Sequence, residues 1–354
     1  MPPDLGLPMP NKAADRRFFA ESSSKFEPLL IKTLCEPLLP HLPATLQPNT
    51  ISLITHGVVW VTAFLAVYSV HMSRIGQAVA LTAAGIGMFL SMIGDCIDGL
   101  HARRTNQCTK LGELLDHWLD AIVLPLATVG ITCALEMSPL AMVVVNVTAA
   151  MVYNSQLILY HHTGRFVVAE PATGPEAQFG LSLGYVACAV FFYYVDRHQP
   201  WLDLAFGAVA VIGVVVQMRC NNFYYRQLGR SIVEHFYFVG LCFAYGALYL
   251  LDIIGLHVFL LTVVFISFRI CGTYVLMTIV KERFHGNDLG LAAFAVVILA
   301  VHYGADLAPI AGVRIEDGLT AAACVYAIMR NFIDLAQRFH LLQPAAVIAT
   351  PTLR

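Results

Sequence analysis

Long apolar runs separated by brief polar clusters set the layout of this chain. The runs fall at roughly 50–72, 75–97, 113–135, 138–160, 177–196, 201–219, 231–251, 256–280, 287–304 and 318–340, close to the ~20 residues that a bilayer core requires of a helix. The pattern predicts an all-α, polytopic membrane protein with about ten transmembrane helices. Runs seven and eight are the hardest to separate. Ahead of them, between about Phe18 and Leu39, residues Phe26, Leu29, Leu30, Leu34 and Leu38 recur at helical spacing, with Lys25 and Lys32 among them. This predicts an N-terminal helix lying in the membrane interface. Pro2, Pro3, Pro8 and Pro10 among small and polar residues predict disorder over residues 1–15. Pro48 marks a turn before the first run, and Thr50 is placed to cap the helix that follows. No internal repeat or soluble domain is visible. The loops are short, so an active site has to be built by the spans themselves.

Composition supports the same class. Of 354 residues, 58% are hydrophobic and 12% charged, whereas soluble domains carry about 25% charged residues. A net charge of −2 gives no basis for a nucleic-acid partner. The nine cysteines contain no CxxC pair and lie mostly in apolar stretches, so they read as small hydrophobes. They leave the redox compartment open. No uninterrupted apolar core in the first 49 residues marks a secretory signal. Ten spans put both termini on one side, and 16 of the 21 lysines and arginines fall there. Arg74, Arg197 and Arg314 fall opposite, and Arg269 and Arg330 fall within runs. The positive-inside rule therefore predicts cytoplasmic termini. Arg269 and Arg330 are expected to face protein or water. Phe223, Tyr224 and Tyr225 among Arg219, Arg226 and Arg230 suit a lipid interface, and His235, His257 and His302 read as structural.

One stretch breaks the apolar pattern in a chemically pointed way. Gly94–Asp120, on the predicted cytoplasmic side, holds Asp95 and Asp98, three apart, and Asp116 and Asp120, four apart. Each pair shares one helix face. Carboxylates so close repel and do not all stay ionised without cations. Hard cations such as Mg²⁺ or Mn²⁺ take oxygen ligands and complete their shells with phosphate and water. Gly99, Ala102 and Gly112 let something bulky approach the backbone. Cys96 and Cys108 lack partners at metal spacing. Glu113 and His117, four apart, can hydrogen-bond along a helix, and His117 can take a hydroxyl proton near neutral pH. A second polar cluster spans 161–176, where Gly164, Pro171, Gly174 and Pro175 mark irregular backbone. Glu176 begins the fifth span, where the helix dipole favours an anion, and it can also face the aspartates.

Written out, the stretch is D-x-x-D-G-x-x-A-R, eight residues, then G-x-x-x-D-x-x-x-D. It resembles, without a mismatch, the signature of the CDP-alcohol phosphotransferase family. The resemblance implies two ions of Mg²⁺ or Mn²⁺ held by Asp95, Asp98, Asp116 and Asp120, with CMP as product. It implies that Gly99, Ala102 and Gly112 make room for the cytidine and that Arg103 neutralises phosphate. It also implies that Asn49, in a Pro-Asn-Thr-like helix start, lies close to the nucleotide. Asp120 is the candidate base, with His117 and Glu176 as alternatives among which the sequence does not choose. Leu111–His117, Ala102–Thr105, and Thr163-Gly164 followed by Glu176 resemble the eukaryotic choline/ethanolamine branch. There the donor is CDP-choline or CDP-ethanolamine and the lipid acceptor, diacylglycerol, enters from the bilayer. Leu100-His101 and Trp118-Leu119 depart from that branch and bear on which alcohol is accepted.

The resemblance further implies a homodimer. The chain is expected to divide into three regions: residues 1–45 as a disordered segment with the interfacial helix, 46–220 as a catalytic core of about six helices, and 221–354 as about four more spans. The expected location is an integral membrane site facing the cytoplasm, in endoplasmic reticulum or Golgi membrane if eukaryotic and in the inner membrane if bacterial. Within the family, the alternatives are a CDP-diacylglycerol donor with a soluble alcohol such as inositol, serine or glycerol phosphate, or a ceramide acceptor. Outside it stands a cation-coupled transporter, since intramembrane carboxylates also mark ion paths.

Overall fold

The computed structural model describes residues 26–163, 174–195, 199–227, 233–282, 288–304, 309 and 312–343. The proline-rich start, Gly164 and Pro171 of the second polar cluster, and Arg230 lie outside them. Among the described residues ten long helices follow one another: α1 Pro48–Ser69, α2 Arg74–Arg104, α3 Lys110–Ala134, α4 Pro139–Thr163, α5 Gly174–Tyr194, α6 Pro200–Gln227, α7 Val233–Leu250, α8 Leu256–Val280, α9 Leu289–Gly304 and α10 Ile315–Leu342. The described residues form an all-helical, polytopic membrane protein, as the apolar runs predict. Eight of the helices are long and apolar enough to cross a bilayer. The other two, α7 and α9, are shorter; the 16 residues of α9 rise only about 24 Å against a hydrocarbon core of about 30 Å. The hard boundary between runs seven and eight is a turn in which Asp252 adopts a positive φ of 57°.

The interfacial helix differs from its expectation. From Phe26 the chain is helical, but a π-helical turn occupies Ile31–Cys35 and a 3₁₀ turn Leu39–His41. Pro37 supplies the reason, because it has no N–H to return to Thr33 and its ring crowds that carbonyl. The Glu36 N–H reaches back to Ile31 instead. The expected apolar face is also split. Leu30 and Cys35 pack on Met92, Ile93 and Ile97 of α2, while Leu29, Leu34 and Leu38 are exposed, as a segment resting in an interface requires. At the start of α1, Gln47 is the N-cap and Pro48 takes the first helical turn. Thr50 therefore lies inside the helix rather than capping it. Proline is favoured there because its missing N–H has no intrahelical partner at that position.

Buried residues identify the centre of the bundle. Most of the apolar length of α4 and α8 is buried within the protein, and little of that of α6. The helices α3, α4 and α8 pack on one another, α1 and α2 pack on each other with α3 against α1, and α10 lies against α8. Trp118 bridges α3 and α8. It sits two residues from Asp116 and Asp120, hence on the opposite face of α3. Its indole stacks on Phe268 at 4.9 Å, its Nε1–H donates to the Phe268 carbonyl at 2.9 Å, and the ring covers Gly272, where any side chain would collide with it. Trp118, a departure noted in the sequence, thus joins the aspartate-bearing helix to the C-terminal helices.

Arg269 is buried in the membrane-spanning α8, and protein surrounds it as expected. Its guanidinium meets Asp288 at 2.6 Å and Asp334 at 2.8 Å. It also donates to Asn331 at 2.9 Å and Thr273 at 2.7 Å. Asn331 returns to the Phe268 carbonyl at 3.0 Å, the same oxygen that accepts from Trp118. Arg330 pairs with Asp334 at 3.5 Å. His302 bonds Glu316 at 3.0 Å, as a structural histidine does.

Candidate active site

The hairpin of α2 and α3 brings the four aspartates together. Arg104 ends α2 and Lys110 begins α3. Between them Asn106 takes a left-handed φ of 56°, which asparagine tolerates better than most residues. Thr109 caps α3, its Oγ accepting from the Gly112 N–H at 2.9 Å. Asp98 lies six residues before the end of α2, and Asp116 six residues after the start of α3. At 1.5 Å per residue, both sit about 9 Å in from the hairpin. Asp95 and Asp120 match in the same way one turn deeper.

Ligand atoms of Asp95, Asp98 and Asp116 accordingly lie within 4.8 Å of one another, as do those of His56, Asp95 and Asp120. All four predicted metal ligands thus share one place. The outer oxygens are held. Ser52 Oγ donates to Asp98 Oδ2 at 2.5 Å, and Tyr153 Oη of α4 donates to the His117 carbonyl at 3.1 Å and to Asp120 Oδ2 at 3.4 Å. Asp95 Oδ1 is buried and has no hydrogen-bond partner among the described residues. A buried carboxylate oxygen without a donor needs a positive partner from elsewhere. The donor set is mainly carboxylate oxygen, which suits Mg²⁺ and Mn²⁺. The residues present therefore fit divalent cations.

Asn49 stands at the rim. A Cβ on Gly112 would meet Asn49 Oδ1 at 3.1 Å, and one on Gly99 would meet Arg103 Nη1 at 3.3 Å. Asn49, Gly99, Arg103 and Gly112 thus form two close approaches next to the carboxylates, with Ala102 on the last turns of α2. The segment behind this rim is tied down. His101 Nε2 donates to the Leu46 carbonyl at 2.9 Å and Gln107 Nε2 to Ala44 at 3.0 Å, and Arg104 donates to the Leu39 carbonyl. His101, the other departure noted in the sequence, is therefore a fastener of the chain ahead of α1. Lys110 Nζ donates to the Leu341 carbonyl at 3.0 Å, which brings the end of α10 to the same rim.

His117 lies half-buried with its ring edge-on to Tyr160 at 5.4 Å. Tyr160 Oη donates to Glu113 Oε1 at 2.7 Å. Glu113 and Asp120 are seven apart on α3, as are their partners Tyr160 and Tyr153 on α4, so two turns of the antiparallel helices line one wall. Glu176 occupies the first turn of α5, the favourable end for an anion, and belongs to neither ligand group.

Ser52 and His56 are the site residues that sequence reasoning missed. His56 is a lone histidine in the apolar run Ile51–Trp60, and its acidic neighbours are some 40 to 64 residues away in the chain. A signal was present nonetheless. Asn49, Ser52 and His56 are spaced i, i+3, i+7 and share one helical face.

The model of the CDP-alcohol phosphatidyltransferase family matches residues 45–218. Cholinephosphotransferase 1 of Rattus norvegicus is 32% identical over 124 residues, which is 35% of this chain and 31% of that protein. The Homo sapiens protein of the same name is 32% identical over 121 residues, 34% of this chain and 30% of its own. That of Saccharomyces cerevisiae is 30% identical over 133 residues, 36% and 34% respectively. The chain spans about a third of the length of these curated relatives.

Proposed function

Taking as premise that residues 45–218 form a CDP-alcohol phosphatidyltransferase domain, we propose that the protein is a phospholipid-synthesising phosphotransferase of the membrane. It moves a phospho-alcohol from CDP-choline or CDP-ethanolamine to the hydroxyl of diacylglycerol and releases CMP. The observation that carries this reading is the meeting of ligand atoms of Asp95, Asp98 and Asp116 within 4.8 Å of one another, beside the Asn49–Gly112 approach.

Asp95, Asp98, Asp116 and Asp120 would hold two divalent cations. When bound, these supply the positive charge that offsets the diphosphate and its departing oxygen. Asn49 and Gly112 border the cytidine, with Gly99 and Ala102 keeping the path clear. Arg103 pairs with phosphate oxygens. The lipid hydroxyl oxygen bonds to the β-phosphorus while the bond from that phosphorus to the bridging oxygen breaks, so that CMP leaves with the electron pair. The hydroxyl proton passes to His117. Asp120 is the less suitable base, because it belongs to a ligand group and a carboxylate beside cations binds protons weakly. His117 is half-buried and outside both ligand groups, and an imidazole is the side chain most often used as a general base. Glu176, in the first turn of α5, is the remaining alternative. The site faces the cytoplasm in this reading, supported by Arg103, Arg104 and Lys110 at its rim.

Two variants separate these roles. His117→Ala is expected to keep binding of the CDP-alcohol within about twofold while lowering transfer at least about a hundredfold, the range of general acid–base contributions. Asp120→Asn is expected to lose both. Calorimetric donor binding and single-turnover CMP release measure this. Retained donor binding in Asp120→Asn with lost transfer would return the base to Asp120.

The whole reading is tested with purified protein, a donor panel of CDP-choline, CDP-ethanolamine and CDP-diacylglycerol, mixed lipid acceptors, and product lipids identified by mass. CMP release that requires Mg²⁺ or Mn²⁺ and yields phosphatidylcholine or phosphatidylethanolamine is expected. Consumption of CDP-diacylglycerol alone would move the protein to the soluble-alcohol reaction. No CMP from any donor would favour cation-coupled transport.

A further inference from the structure

We propose that His56 is a nitrogen ligand of the cation held by Asp95 and Asp120, so that one half of the site is a mixed nitrogen–oxygen centre. This inference rests on the reading above that the aspartates bind divalent cations. His56 is buried in α1 with 3% of its surface exposed. Its Nδ1 lies 2.7 Å from the Ser52 carbonyl oxygen. A carbonyl only accepts, so Nδ1 carries the proton of the neutral ring, and the lone pair is on Nε2. That nitrogen lies 3.4 Å from Asp120 Oδ1, and His56, Asp95 and Asp120 bring one ligand atom each within 4.8 Å of one another. Charge-assisted hydrogen bonds to carboxylate close to about 2.7–2.9 Å, and this pair is more open.

Three lone-pair-bearing atoms thus converge in a buried place where Asp95 Oδ1 has no hydrogen-bond partner among the described residues. Something positive belongs between them. The arrangement has the form usual for a ligating histidine, in which the other ring N–H donates to a backbone carbonyl and fixes which nitrogen faces the metal. An imidazole donor changes metal preference, since nitrogen favours Mn²⁺ and later divalent ions over Mg²⁺, which prefers an all-oxygen shell. The Asp95–Asp98–Asp116 group contains no nitrogen. The two halves of the site would therefore differ in selectivity, the deeper one taking the softer ion.

The test is pulsed electron paramagnetic resonance of Mn²⁺ bound to the purified full chain, grown with natural-abundance or ¹⁵N-labelled histidine. Expected is a directly bonded ¹⁴N coupling that becomes ¹⁵N on labelling, persists in His117→Ala and disappears in His56→Gln. In His56→Gln, Mn²⁺ should still bind, but about tenfold or more weakly. Bound Mn²⁺ without nitrogen coupling would show a proton rather than a cation beside Nε2 and overturn the proposal while leaving the aspartate centre intact. Coupling that survives His56→Gln or vanishes in His117→Ala would overturn it as well. No Mn²⁺ binding at all would sink the metal-dependent function and this inference together. If His56→Gln fails to fold, labelled wild type and His117→Ala still decide.

Discussion

Asp98→Asn is expected to reduce CMP release at least about a hundredfold while leaving the protein folded. The magnitude follows from comparison. Removing a group that merely supports a metal ligand costs 10–100-fold, and removing one preorganised stabiliser of transition-state charge costs about 10²–10³. Asp98 belongs to the ligand group itself. Asparagine keeps the shape, and its carbonyl oxygen can still accept from Ser52 Oγ, so packing on α1 survives. What is lost is one negative charge where cations have to be held. CMP release from the labelled donor measures the activity, and elution volume with thermal melting in detergent checks the fold. A fully active Asp98→Asn protein would remove this residue from the metal centre.

Arg269→Met carries the largest expected effect on stability. Methionine keeps the unbranched apolar stem and removes the guanidinium. The two carboxylates it serves, Asp288 and Asp334, keep their burial and lose their shared guanidinium. Breaking a buried pair from one side costs about 3–5 kcal/mol, because an uncompensated charge remains. Arg330 at 3.5 Å and Arg338 at 4.0 Å still reach Asp334, so Asp288 bears most of the loss. Restoring neutrality with Arg269→Met combined with Asp288→Asn should recover a substantial part of it. Thermal unfolding in a fixed detergent reads both variants. An unchanged melting profile for Arg269→Met would mean that water or lipid headgroups reach this cluster. Because Asn331 and Trp118 share the Phe268 carbonyl beside Arg269, the single variant should also loosen α3 and lower donor affinity.

The course of the spans was readable in the sequence because lipid imposes a simple demand: about twenty apolar residues per crossing, with backbone groups satisfied within the helix. The aspartate pairs were readable because a helix converts spacings of three and four into a shared face. Matching depth across the α2–α3 hairpin then followed from the positions of Arg104 and Lys110. Other features depend on partners far along the chain. Nothing local says that Trp118 stacks on Phe268, that His101 bonds Leu46, or that His56 meets Asp120. These contacts come from how α1, α3 and α8 pack. The interfacial helix was legible as amphipathic, while its π and 3₁₀ turns came from the spacing of Pro37 and Pro40, which periodicity alone smooths over. Thr50 was misplaced as a cap because the residue types favoured at caps and first turns overlap, whereas Pro48 at the first helical position puts the cap at Gln47.

Calorimetric titration of CDP-choline and CDP-ethanolamine into the purified protein, with and without Mg²⁺ or Mn²⁺, tests the central claim most directly. Saturable binding of at least one of them that appears only with the divalent ion, and is lost in Asp98→Asn, is the result this account requires. Equal binding after metal is chelated, or binding untouched by Asp98→Asn, would show that the diphosphate is not held through these carboxylates.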